Sequence, residues 1–309
     1  MHSRRSSRQL RADVGAIRLT ESAEAGPARP RDIAPTIGRA FAFVAFFVAC
    51  TIGAQWLVTP PLIWLARQSE HVIRVDMYAE LVGALAATAI MLRSIDRRSW
   101  ADVGLARTAV RARALGVGWM VGAGANLFTC LSLMAFGLLQ VVPGAAGEDG
   151  SWWGAALRVS VVLVPAALAE EIICRGYLLT VIRDSVGTRG AAVITSLMFG
   201  LLHIPNPGAT TTSVLAVILA GLLLATVRIR FDSIYAAWMT HLAWNWVMAV
   251  PFHALVSGIR FEAPGYRAVA VAPAWLSGGE WGPEGGLFAT VGMSLGLGYF
   301  YLRRGREES

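Results

Sequence analysis

The sequence predicts an all-α fold, a polytopic bundle of about eight transmembrane helices. Three observations carry that prediction. The chain has 309 residues, of which 55% are hydrophobic and 15% charged, with a mean hydropathy of +0.55. Soluble domains carry roughly 25% charged residues, and a soluble chain this apolar has too little polar surface to cover itself. Several apolar runs also exceed the roughly 18 residues that mark a membrane span. Finally, arginines gather in alternate segments between those runs, as orientation signals do.

Taken in order, residues 1–37 are polar, rich in Arg, Ser, Ala and Pro, and without periodicity, which predicts a disordered basic tail. The first apolar run begins near Arg39. It is too long for a cleavable signal peptide and is expected to stay as an anchor. Apolar segments then fall at 39–65, 76–93, 114–142, 152–182, 190–205, 213–228, 233–252 and 285–303. The fourth is long and polar in its middle, which predicts a bend or a split. Between 251 and 283, Gly and Pro punctuate a stretch containing Trp275 and Trp281, the pattern of an interfacial loop. The chain thus divides into the tail (1–37), N-terminal transmembrane helices (38–150), a helical core (151–255) and a closing unit of loop, last helix and tail (256–309).

The net charge of +7 comes from arginine alone, since the chain has no lysine. Arg4, Arg5, Arg8 and Arg11 lie in the tail, and Arg93, Arg97, Arg98, Arg107, Arg111 and Arg113 follow span two. Arg183 and Arg189 follow span four, Arg228 and Arg230 span six, and Arg303, Arg304 and Arg306 span eight. All fall on one side of an eight-span chain, so both termini are expected in the cytoplasm and the protein in the cell membrane. This placement accounts for the basic excess, so the expected partner is the lipid bilayer and not nucleic acid. Cys50, Cys130 and Cys174 lie far apart, without the spacing of a disulfide framework or a zinc site. Gly116, Gly118, Gly122 and Gly124 in span three, with Gly292, Gly296 and Gly298 in span eight, predict close helix packing within the molecule.

An ionisable group in a membrane is costly, about 2.5–3.5 kcal/mol on insertion scales. Spans four to seven nonetheless hold Glu170, Glu171, Arg175, His203 and His241, joined by the amide Asn245. Glu171 and Arg175 stand at i and i+4, acid first, the favourable order for a helical ion pair. Glu170 lies about 100° round the helix and lacks that partner, which suits it to act as a general base. His203 ends an apolar run just before Pro205. His241 and Asn245, at i and i+4, share a helix face and can donate hydrogen bonds to a common point. A carboxylate, two imidazoles and an amide are the parts needed to activate water and stabilise an oxyanion.

Glu170-Glu171-x-x-x-Arg175, Phe199-x-x-x-His203 and His241-x-x-x-Asn245, in this order in apolar helices, resemble the motifs of the CPBP family. That family includes CAAX prenyl endopeptidases and bacterial relatives linked to bacteriocin processing and self-immunity. The resemblance covers roughly residues 155–250. It implies an intramembrane glutamate-type endopeptidase acting on a membrane-associated peptide or protein. Glu170 with His203 would activate the attacking water, and His241 with Asn245 would stabilise the oxyanion. Glu171 and Arg175 match the first motif and are assigned structural support. Cys174 departs from the family, where an aromatic residue is common, and an inert buried thiol is expected there.

No cofactor is expected. The family has been suspected of metal dependence, but the His-Glu-x-x-His helix of metalloproteases is absent, and the glutamate mechanism needs no metal. A metalloendopeptidase-like site built from the Glu and His residues is the alternative. Two non-proteolytic readings stand beside the peptidase: a membrane scaffold or bacteriocin-immunity protein, and a proton-coupled carrier using Glu170 and His203 as a relay.

Overall fold

A computed structural model describes residues 33–67, 76–144, 151–261 and 265–307. Most of the segment read as a basic tail, including Arg4, Arg5, Arg8 and Arg11, lies outside the described residues. The fold is the expected helical membrane bundle. Its long helices are α1 (Ile33–Arg67), α2 (Asp76–Ile90), α3 (Ala112–Ala135), α4 (Trp152–Glu171), α5 (Leu178–Leu202), α6 (Thr211–Phe231), α7 (Ile234–Ala249) and α8 (Leu287–Glu307). Each of the eight apolar segments contains a helix, although the third, 114–142, leaves helical geometry after Ala135. Among the described residues, four helical stretches are long and apolar enough by themselves to cross a membrane: Ile33–Trp64, Asp76–Asp96, Ala112–Ala135 and Thr211–Phe231. Apolar side chains on their outer faces are exposed, including Phe41, Trp56, Leu57, Met120 and Leu131, a surface suited to acyl chains rather than water.

The bend expected in the fourth segment is present. After Glu171 the helix loosens into a π-helical turn, Ile172–Tyr177, in which Gly176 leaves helical geometry (φ −83°, ψ −105°), and then continues as α5. The carbonyls loosened there find side-chain donors: Thr180 Oγ1 bonds Gly176 O at 2.9 Å, and Arg228 Nε bonds Arg175 O at 3.2 Å. Upstream, Pro165 cannot donate to Val161 O, and the Tyr78 hydroxyl donates to it instead at 2.9 Å. A second break at Gly187 (φ 77°) separates the fourth and fifth apolar segments. Left-handed backbone is readily adopted only by glycine. Arg183 and Arg189 therefore flank a kink, not a loop.

Arg228 needs correction. Read as an orientation signal beyond span six, it is 1% exposed in the last turn of α6. It also pairs with Asp232 at 2.6 Å.

The glycines of α3 divide by face. A Cβ at Gly122 would lie 2.1 Å from Thr240 O, and one at Gly118 2.4 Å from Ala236 O, whereas Gly116 and Gly124 face open space. Gly118 and Gly122 thus let α3 press its backbone against α7, the helix that carries His241 and Asn245. In α8, Gly292 meets Ala125 O of α3, whereas Gly298 meets nothing within 4 Å.

A two-stranded antiparallel sheet, β1 (Leu139–Pro143) with β2 (Tyr266–Ala270), was not expected. The third segment stops being helical at Ala135 because Gly137 (φ 69°) closes it: Gly137 N bonds Met134 O and Leu138 N bonds Leu133 O. This is the glycine C-cap that ends many helices. The Val-Val-Pro that follows then has the β-rich composition of a strand.

Candidate active site

Each functional side chain is placed by local backbone physics. Glu170 and Glu171 end α4 where the π-turn begins, and π-bulges are frequent at functional sites. His203 is the C-cap of α5. Its Nδ1–H donates to Phe199 O at 2.8 Å, satisfying a carbonyl that the helix end leaves without a partner. Because a carbonyl only accepts, the neutral ring carries its lone pair on Nε2. His241 lies inside α7, which starts at the N-cap Ser233, and is buried at 8% exposure.

These elements converge. Glu170 Oε2 lies 3.9 Å from His203 Nε2 and 3.9 Å from His241 Nε2. Both separations are too long for direct hydrogen bonds, and Glu170 Oε2 is a buried oxygen with no hydrogen-bond partner among the described side chains. Asn245, one turn beyond His241, lines the same cavity. The cavity encloses about 350 Å³, within the range of about 300–1,000 Å³ typical of ligand sites. Its walls are largely apolar: Val162, Leu163, Ala166 and Ala167 of α4 face Val256, Ile259 and Phe261 of the loop after α7. Phe47 of α1 and Met77 and Glu80 of α2 complete it, so the N-terminal helices also shape the chamber.

Behind Glu170 lies a buried charged layer. Glu171 and Arg175 are both fully buried and paired at 3.2 Å, the i, i+4 pair expected from their spacing. Arg175 also donates to Gly221 O at 3.3 Å, and its guanidinium sits 4.1 Å from the centre of the Phe199 ring. Glu171 Oε1 further accepts from His241 Nδ1 at 3.0 Å. The acid assigned only helix support therefore also orients an imidazole, as second-layer carboxylates commonly do. Phe199 contacts both His203 and His241 edge-on, with ring centres 4.6 and 5.8 Å apart.

Sequence reasoning missed Glu284, Ser257, Trp244 and Asn206. Ser257 and Asn206 line the main cavity, and Glu284, Ser257 and Trp244 line a smaller space of about 40 Å³ beside His203, His241 and Asn245. The available signal was an acid in the otherwise apolar run Trp281-Gly-Pro-Glu284-Gly-Gly. The interfacial loop is also only half as described: Trp275 is 56% exposed, but Trp281 is fully buried beside His203.

Cys174 lines the cavity but is only 2% exposed. Cys174→Ala is expected to keep at least half of any wild-type hydrolytic rate, and a loss of tenfold or more in a peptide-cleavage assay would reinstate a thiol nucleophile. Among the described residues, no group of three or more His, Cys, Asp and Glu side chains has the spacing of a metal-ion site.

Compared with known proteins, residues 151–247 match the sequence model of the family described as type II CAAX prenyl endopeptidase Rce1-like. The matched stretch runs from the start of α4 into α7 and contains Glu170, Glu171, Arg175, His203, His241 and Asn245, but not Ser257 or Glu284. Among curated proteins, none matches the chain. The family implies a membrane protease, a hydrolase acting on membrane-associated substrates. Residues 151–247, the segment of this helical membrane bundle that bears the site, are thus similar to the Rce1-like type II CAAX prenyl endopeptidases.

Proposed function

We propose that the protein is a glutamate-type intramembrane endopeptidase that hydrolyses a peptide bond of a membrane-associated peptide or protein. The observation that carries the reading is the position of Glu170 Oε2, 3.9 Å from the Nε2 atoms of both His203 and His241, on the wall of an apolar cavity. A water oxygen at ordinary hydrogen-bonding distance from two of these atoms fits such separations. Glu170 then takes up one proton of the water as its oxygen bonds to the carbonyl carbon, while the Nε2 lone pair of His203 accepts a hydrogen bond from the other O–H. His241, held at Nδ1 by Glu171, donates from Nε2 in its doubly protonated form. Together with the Asn245 amide it supports the oxyanion. Collapse of the tetrahedral species, with a proton delivered to the leaving nitrogen, releases the two fragments.

The proposed reaction uses protein groups alone, and treatment with a chelator is expected to leave it intact. The arginine distribution leads us to place both termini in the cytoplasm. The test is a proteomic comparison of cells carrying the wild type or Glu170→Ala. Fragments that depend on Glu170 support the reading. A phenotype that survives alanine at Glu170, His203 and His241 favours the scaffold or immunity reading.

A further inference from the structure

Glu284 is a buried acid, 6% exposed, that the site described above does not use. Glu284 precedes α8, far along the chain from the motifs, yet its two oxygens grip opposite sides of the chamber. Oε1 accepts from Ser257 N at 2.5 Å and from Ser257 Oγ at 2.7 Å. Oε2 accepts from Trp244 Nε1 at 2.9 Å.

Both contacts reach site elements. Ser257 and Gly258 are the central residues of a tight turn closed by Val256 N to Ile259 O at 3.0 Å and Ile259 N to Val256 O at 2.8 Å. Their φ values are 48° and 78°, the pattern of a type I′ turn, which favours Asn or Gly over Ser at the first position. Two hydrogen bonds to Glu284 hold the serine there. Val256, Ser257 and Ile259 wall the main cavity. Trp244 adjoins Asn245 and lies one turn from His241 on α7.

We infer that Glu284 is a positioning residue that clamps the cavity-wall turn Val256–Ile259 to α7 and so fixes His241 and Asn245 relative to bound substrate. The two oxygens separate its roles. In Glu284→Gln the amide oxygen still serves Ser257, but the amide nitrogen faces the indole N–H, and both groups are donors. The turn is kept and the α7 anchor is lost. Trp244→Phe removes the same anchor from the other side.

The experiment uses the full chain in detergent micelles and a library of quenched fluorogenic peptides, following the member that the wild type cleaves fastest. Glu284→Gln and Trp244→Phe should each lower kcat by about fivefold to tenfold with KM within about twofold, the scale of one lost buried hydrogen bond. The double variant should be no slower than either single one, because one contact is removed once. Hydrogen exchange should quicken in residues 239–250 and stay unchanged at 256–259. Single variants within twofold of wild-type kcat, multiplying effects, or faster exchange at the turn instead of the helix would each overturn the inference. The kinetic arm rests on the peptidase reading. If no peptide is cleaved in a Glu170-dependent way, that reading fails and the exchange arm alone decides the clamp.

Discussion

Arg175→Ala should destabilise the bundle by about 3–5 kcal/mol, the range for removing one partner of a buried ion pair. Native domains have only about 5–15 kcal/mol of total stability, so the variant is expected to unfold or to accumulate poorly. Three contacts vanish together: the pair with Glu171, the bond to Gly221 O and the approach to the Phe199 face. Glu171, with no solvent exposure, is then left against His241 alone. Arg175→Lys should recover little, because an ammonium lacks the planar fork that serves a carboxylate, a carbonyl and a ring face at once. Arg175→Met combined with Glu171→Gln removes both charges and should restore much of the stability. It should not restore turnover, because the amide holds His241 less well than the carboxylate does. Thermal unfolding of the detergent-solubilised variants checks the first claim, and peptide cleavage by the double variant checks the second.

Glu170→Gln should leave the fold intact and lower turnover by about 100- to 10,000-fold, the usual contribution of a positioned general base. The stability part follows from the surroundings. The Glu170 side chain is 36% exposed and makes no direct hydrogen bond to either imidazole, whose Nε2 atoms both lie 3.9 Å from Oε2. Little packing depends on its charge. The activity part follows from chemistry, since an amide cannot accept the proton of the attacking water. The contrast with Arg175 separates the two neighbouring acids. Glu171 belongs to a buried layer whose disruption is felt in stability, and Glu170 belongs to the cavity wall, where its loss is felt in turnover.

Periodicity and residue chemistry made part of this legible in the sequence. The i, i+4 spacing of Glu171 and Arg175 anticipated their ion pair. Pro205 marked the helix end on which His203 stands, and each apolar run marked the place of a long helix. What escaped depended on tertiary contact. Nothing local to Glu171 signals His241, 70 positions later. Arg228 read as a loop arginine because composition does not show that it turns inward to cap a carbonyl freed by the π-turn. Glu284 sits among Gly and Pro, where no period assigns a side chain to a face, so its grip on Ser257 and Trp244 was invisible. The short sheet escaped because β1 continues an apolar run that hydropathy does not divide.

The central claim is that the water positioned at Glu170, His203 and His241 cuts a peptide bond. It is tested most directly by placing purified wild-type protein and Glu170→Gln, matched for folding by thermal melt, in liposomes with a library of membrane-inserting peptides. Mass spectrometry then maps the new termini. The account predicts new termini with the wild type and with Cys174→Ala, and loss of at least 99% of them with Glu170→Gln, the lower bound of about 100-fold for a general base. Equal yields of the same termini from wild type and Glu170→Gln would contradict it.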